Sequence, residues 1–208
     1  MAIGTYAELQ IAVANWLDRE DLTDRIPEFI TLAEARMNRM LRLRLMENKY
    51  TASTVAAQRN YALPTGYVQM RNFQINVTPV RPLQYVTPEV YDRIWGGSSS
   101  GTPEVYTIMT NEVQLGPKPD SIMTMEMLFY KRITALSGSN TTEQMLTENP
   151  DVYLYGALME AEPFVMNDER MGLWAQGFAQ AIQALQEQDN KDRHSGSALR
   201  VMNMGGYY

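Results

Sequence analysis

The sequence predicts an α+β fold: an antiparallel four-helix core, two helices from each end of the chain, with a central antiparallel β-rich insertion and an extended C-terminal tail. Three observations predict it. Apolar residues recur at spacings of three and four near both ends of the chain, they alternate at period two between those ends, and turn signals cut the middle into short runs. The boundaries that follow are 1–45 for an N-terminal helical hairpin and 46–140 for the β-rich insertion with a short helix at 88–95. Residues 141–188 then form a C-terminal hairpin completing the bundle, and 189–208 the tail.

The first helix spans Thr5 to Leu17. Thr5 with Glu8 matches a capping box, and Tyr6, Leu9, Val13 and Trp16/Leu17 make one apolar face. The short acidic connection DREDLTD predicts an antiparallel neighbour. That neighbour is the helix around which the chain is organised, from Leu22 toward Leu45. Ile26, Ile30, Ala33, Met37 and Met40/Leu41 lie on one stripe of it, and Arg25, Arg36 and Arg39 on an adjoining face. Thr23 is the expected N-cap, with Pro27 in the first turn. Leu41, Leu43 and Leu45 alternate with Arg42 and Arg44, so the helix is expected to end near Leu43 and pass into a strand.

Strands are expected at 43–52, 59–62, 68–76 and 82–85, separated by LPTG and TPVRP turns. Thr87, Pro88 and Gly96 bracket a short helix, TPEVYDRIWG. GGSSSGTP follows as a loop; it matches neither glycine-rich phosphate pattern, so no phosphate site is expected there. EVYTIMTNEVQLGPKPDSIMTMEMLFYKRI reads as a three-stranded meander with turns at Thr110–Glu112 and Gly116–Asp120. In its last strand Met123, Met125, Met127 and Phe129 alternate with Thr124, Glu126 and Leu128, which marks the methionines as core or assembly interface rather than a metal or cofactor site.

SGSNTTEQMLTENP reads as a polar connection. Asn149-Pro150 opens the third long helix, DVYLYGALMEAEPF, which Pro163 kinks or closes. Asn167 or Asp168 is the expected cap of the last helix, whose stripe is Met171, Trp174, Phe178, Ile182 and Leu185. Gly172 and Gly177 are costly inside it unless another backbone approaches closely. From Asp189 no period is sustained. This tail nevertheless carries Leu199, Val201, Met202, Met204, Tyr207 and Tyr208, apolar groups that a purely solvating segment does not need, and it reads as a segment that orders on a partner.

With 24 acidic and 18 basic residues the net charge is −6, which disfavours a general nucleic-acid binder. The charge is uneven: residues 25–49 carry net +3 and residues 143–193 net −7. That asymmetry suits contacts between copies. There is no cysteine, hence no disulfide, thiol nucleophile or zinc–thiolate site. The first residues lack an export signal and no apolar run approaches the ~20 residues that span a bilayer, so a soluble chain without a membrane partner is expected.

No catalytic constellation stands out. The single histidine, His194, falls in the polar tail, so neither a serine-type triad nor a histidine-rich metal site can be assembled. Paired carboxylates could hydrolyse a glycosidic bond, but Glu160 and Glu162 face different ways and Glu34 has no second acid near it in sequence; all three read as surface residues. No enzyme, cofactor or metal is expected.

Taken in succession, LAEARMNRMLR, LPTGYVQMRNF, PLQYVTPEVYDRIWG, YTIMTNEVQLGPKPDSIMTMEMLFYKR and TENPDVYLYGALMEAEPFVMNDERMGLWAQGFAQAIQAL resemble the head-to-tail connector (adaptor) proteins of tailed bacteriophages, in particular those of short-tailed phages and prophages. The resemblance covers about Thr5 to Leu185, and its motifs are structural. It implies a homododecameric ring beneath the portal at the head–tail junction of the virion, assembled in the host cytoplasm. The ring would join the portal protein to a tail tube or nozzle protein, and genomic DNA would pass its lumen without specific binding. The tail residues Leu199 to Tyr208 are then the segment available to dock into the portal, and Arg25, Arg36 and Arg39 the face available to the next copy or the portal. The alternatives are another tail ring of the tail-completion or gatekeeper kind, an adaptor with cell-wall glycosidase activity, and an unrelated intracellular binding module.

Overall fold

The computed structural model describes residues 3–97, 99–164 and 171–194. They fall into two compact units, one from the described residues of Met1–Leu45 and Ile133–Tyr208, the other from Met46–Arg132.

In the helical unit, α1 (Tyr6–Leu17) begins with the expected capping box: the Glu8 amide donates to Thr5 Oγ1 at 3.3 Å and the Thr5 amide to Glu8 Oε2 at 3.0 Å. It stops at Asp18, which takes the left-handed conformation at φ 54°. A 3₁₀ turn over Glu20–Arg25 then occupies the place of the expected Thr23 cap, and α2 (Ile26–Met40) starts with Pro27 in its first turn. Leu41 is already extended, and Leu41 and Leu43 are both buried. Their period-two alternation is thus that of an extended segment ending in a 3₁₀ turn at Arg44–Met46, not of a paired strand.

After the second unit the chain returns through an unpaired stretch to α4 (Gln144–Glu148), α5 (Pro150–Glu160), a 3₁₀ turn at Glu162–Phe164 and α6 (Met171–His194). α4 interrupts what reads from the sequence as a polar connection, burying Met145 and Leu146. The expected caps Asn167 and Asp168 lie outside the described residues, as does the tail from residue 195. α5 buries Val152, Tyr153, Leu154, Gly156, Ala157 and Leu158, an apolar surface on every side, and packs against α1, α2 and α6. Each N-terminal helix packs more extensively on α5 than on the other. Gly156 marks a close approach: a Cβ there would sit 3.1 Å from Ala33 Cβ and 3.2 Å from Phe178 Cε2. Gly177 of α6 likewise faces the Tyr155 ring, 3.1 Å from where a Cβ would stand.

Among its described residues the β-unit holds ten strands: β1 (Glu47–Ser53), β2 (Asn60–Ala62), β3 (Tyr67–Asn76), β4 (Arg81–Pro82), β5 (Gln84–Tyr85), β6 (Ser100–Gly101), β7 (Val105–Met109), β8 (Glu112–Gly116), β9 (Lys118–Pro119) and β10 (Thr124–Lys131), with α3 (Pro88–Trp95) between β5 and β6. They form three sheets, ordered β1-β10-β3-β4, β2-β8-β7-β5 and β6-β9. β5 pairs with β7, and β6 with β9, in parallel; the other pairs are antiparallel. One core cluster draws on both four-stranded sheets, including Phe73, Ile75, Tyr106, Val113, Leu115, Met125, Met127 and Phe129. The methionine stripe is core: Met123, Met125, Met127 and Phe129 are all at most 9% exposed. α3 is locked from outside its own sequence. Tyr91 donates to the Leu115 carbonyl at 2.8 Å, and Arg59 Nη2 caps the helix end by donating to the Trp95 and Gly97 carbonyls at 2.9 and 2.7 Å.

The described residues therefore contain six α-helices and ten strands in three sheets, not a four-helix core carrying one antiparallel insertion. Three physical causes separate them. A helix apolar all round packs on α1 and α2 as well as on α6, and so becomes a hub. The expected strand at 82–85 changes sheets at Leu83, whose amide donates to Phe73 O while that of Gln84 donates to Glu104 O. The expected meander splits because Pro117 and Pro119 lack the N–H groups a continuing hairpin needs, so β7 and β8 stay in one sheet and β10 inserts between β1 and β3 of the other.

Candidate functional site

The outward side of α2 is the first candidate surface. Arg25, Leu32 and Arg39 are spaced by seven, nearly two full turns, and so lie along one stripe, with the two cations ~21 Å apart by helix rise. All three are exposed; Leu32 and the adjacent Met40 are each 50% exposed. Arg25 Nη1 pairs with Glu28 Oε2 at 3.1 Å, and its guanidinium stands 5.8 Å from the ring centre of Phe164, which in turn packs on Phe29. Arg39 has no charged partner among the described residues. Arg36 differs from both: its Nε donates to Glu160 Oε1 at 2.5 Å, so it ties α2 to the end of α5. Glu160 is thereby accounted for, and Glu162 lies exposed in the following turn.

The sequence's charge asymmetry is partly closed within the chain. Arg44 reaches Asp189 and Asp192 of α6, and Arg193 Nε donates to Asp189 Oδ2 at 2.7 Å. α6 runs through Asp189, where the sequence loses its period, and ends at His194. These ion pairs give that last stretch its partners.

A second group of residues gathers around Glu34, which the sequence reading places at the surface. Glu34 is no surface residue: it is 3% exposed, one turn from Ile30 and Met37 on the buried stripe of α2. Its Oε1 accepts the Leu136 amide at 2.9 Å, and one turn on, Asn38 Oδ1 accepts the Ile133 amide at 2.9 Å. Burial pushes the Glu34 carboxyl up to about 7, the Leu136 amide pulling it back and the Glu143 carboxylate raising it further. Tyr153 of α5, fully buried, is raised by burial and then by Glu34 and Glu143. Its hydroxyl has no hydrogen-bond partner among the described residues. The signal in the sequence was the spacing itself, Glu34 standing where the stripe calls for an apolar residue. Because an unsatisfied buried hydroxyl is destabilising, Tyr153→Phe is expected to stabilise the protein by about 1 kcal/mol, read as a raised thermal midpoint. A lowered midpoint would mean that the hydroxyl is bonded.

In the β-unit, the register aligns Ser53, Thr124 and Asn76 at one end of the first sheet. The connections beyond that end carry exposed Val55, Ile122 and Val80, at 53, 77 and 51%. Among the described residues no cluster of three or more His, Asp or Glu side chains could hold a metal, and no helix is long and apolar enough to cross a membrane. The tail residues Leu199, Val201, Met202, Met204, Tyr207 and Tyr208 lie outside the described residues.

A family model described as SU10 adaptor protein matches residues 4–202. No curated protein matches the chain.

Proposed function

We propose that this chain, which belongs to the SU10 adaptor protein family and is therefore a structural protein of a bacteriophage, forms a homododecameric ring that joins the portal to the tail and lines the DNA exit channel. The observation that carries the reading is the extent of the match, residues 4–202, which takes in both units. The net charge of −6 supports the channel role, since a wall of like sign lets phosphate slide where a basic one would hold it. In this reading the ring sits at the head–tail junction after assembly in the host cytoplasm. Leu199, Val201, Met202, Met204, Tyr207 and Tyr208 dock into the portal. The apolar loop ends at Val55, Val80 and Ile122 meet the tail tube or nozzle protein. Arg25 and Arg39, flanking Leu32, meet an acidic face of the next copy or of the portal, while Arg36 keeps α2 and α5 in place behind them.

The test is the mass in solution by light scattering, for the protein alone and after mixing with the portal ring of the same phage. A complex with about one copy per portal subunit is expected, and failure to join the portal at any salt concentration would overturn the reading. Arg39→Glu is expected to weaken assembly about tenfold at low salt, with the circular dichroism of the monomer unchanged. Wild-type assembly by that variant would remove α2 from the interface. Arg36→Glu is not an equivalent test, because it sets a second carboxylate against Glu160 and disturbs the monomer itself.

A further inference from the structure

Residues 133–141 bring the chain back into the helical unit without regular structure, and three hydrogen bonds hold them there. The Ile133 amide donates to Asn38 Oδ1 at 2.9 Å, the Leu136 amide to Glu34 Oε1 at 2.9 Å, and the Thr141 carbonyl accepts the Tyr6 amide at 2.7 Å. Ile133 and Leu136 are themselves buried, at 8% and 6% exposure. The segment is thus a strap, and two of its three ties are side chains one turn apart on α2.

The middle tie is a carboxyl in surroundings that disfavour charge. Around Glu34 stand the phenol of Tyr6 from α1, the phenol of Tyr153 from α5 and the carboxylate of Glu143 just before α4. No cation among the described residues pairs with it. As an anion it has a single amide donor to set against the cost of burial and a second carboxylate; as a neutral acid it bears neither cost. An anionic Glu34 regains its hydration only if the strap lifts.

We propose that residues 133–141 are a pH-responsive strap: Glu34 holds a proton while the strap is closed, and its ionisation releases the strap from α2 at Leu136. The sign follows from linkage. The closed-state carboxyl, at about 7, lies above its ordinary value of 4.5. Its contribution is therefore fully present below about 4.5 and is lost as pH rises through 7. The strap is tightest in mild acid and loosest from neutrality upward.

Amide hydrogen exchange on the full-length chain, corrected for the intrinsic pH dependence of exchange, tests this at Leu136 and Ile133. In the wild type the opening constant at Leu136 is expected to rise roughly tenfold per pH unit between pH 5 and 7 and then level off. In Glu34→Gln, whose side-chain oxygen still accepts the amide but cannot ionise, it should stay low and flat. A flat wild-type profile, or an equal rise in the variant, would overturn the proposal. Should Glu34→Gln fail to fold, Glu143→Gln serves instead. Removing the facing carboxylate should move the levelling-off point to lower pH, and an unmoved profile would count against Glu34 as the titrating group.

Discussion

Replacing Gly156 by leucine is expected to lower the stability of the protein by about 3 kcal/mol, toward the upper end of what overpacking a filled core costs. The expectation rests on where that residue sits. α5 is clasped between α2 and α6, and a Cβ at Gly156 already meets Ala33 Cβ at 3.1 Å and two ring atoms of Phe178 at 3.2 and 3.5 Å. Those neighbours can yield a few tenths of an ångström to a methyl group. Gly156→Ala should accordingly come out near neutral, its crowding offset by the gain of about 1 kcal/mol in helix propensity. Leucine adds three further carbons for which the crossing has no room. Urea denaturation of the two variants separates the effects; a leucine variant of wild-type stability would mean that α5 does not lie between the two helices.

The second large effect belongs to the β-unit. Phe73 is 1% exposed, sits beside Met127 in the register and meets Tyr106 edge-on at 5.2 Å. Phe73→Ala is expected to cost about 4 kcal/mol, as cavity and lost aromatic contact combine. For a unit of this size that lowers the thermal midpoint by roughly 15 °C or more. Phe73→Leu, which keeps most of the volume, should lose no more than about 1.5 kcal/mol. A small effect from alanine would show that the two four-stranded sheets do not share one core at this point.

What the sequence disclosed was local. The Thr5–Glu8 box, the Pro88 and Gly96 brackets of α3 and the Trp174, Phe178, Ile182 stripe of α6 are each written within a few residues, and each element lies where its pattern puts it. The period-two run from Met123 to Phe129 likewise needed no distant partner to be read as half-buried. What escaped was set by partners far along the chain. The sheet change at Leu83 depends on amides meeting Phe73 and Glu104, the split meander on which strands β10 finds, and α4 on a core that its own polar sequence does not announce. At the candidate surfaces the same division holds. The basic face of α2 was legible as a face, but that Arg36 is engaged by Glu160 was not. Glu34 was misplaced because its partner amide, at Leu136, lies about a hundred residues away.

The hub position of α5 also orders events in time. α1 and α2 leave the ribosome well before α5, yet the surface they bury lies on that helix, which begins only at Pro150, about 110 residues after α2 ends. At ordinary rates of synthesis that interval is on the order of ten seconds. The β-unit, continuous from Met46 to Arg132, has all its strands in hand during the wait. α1 and α2, made before the β-unit, thus complete their packing only after it is in hand, and a nascent chain spends those seconds with Phe29, Ile30 and Met37 uncovered, the interval in which a chaperone has most to offer it.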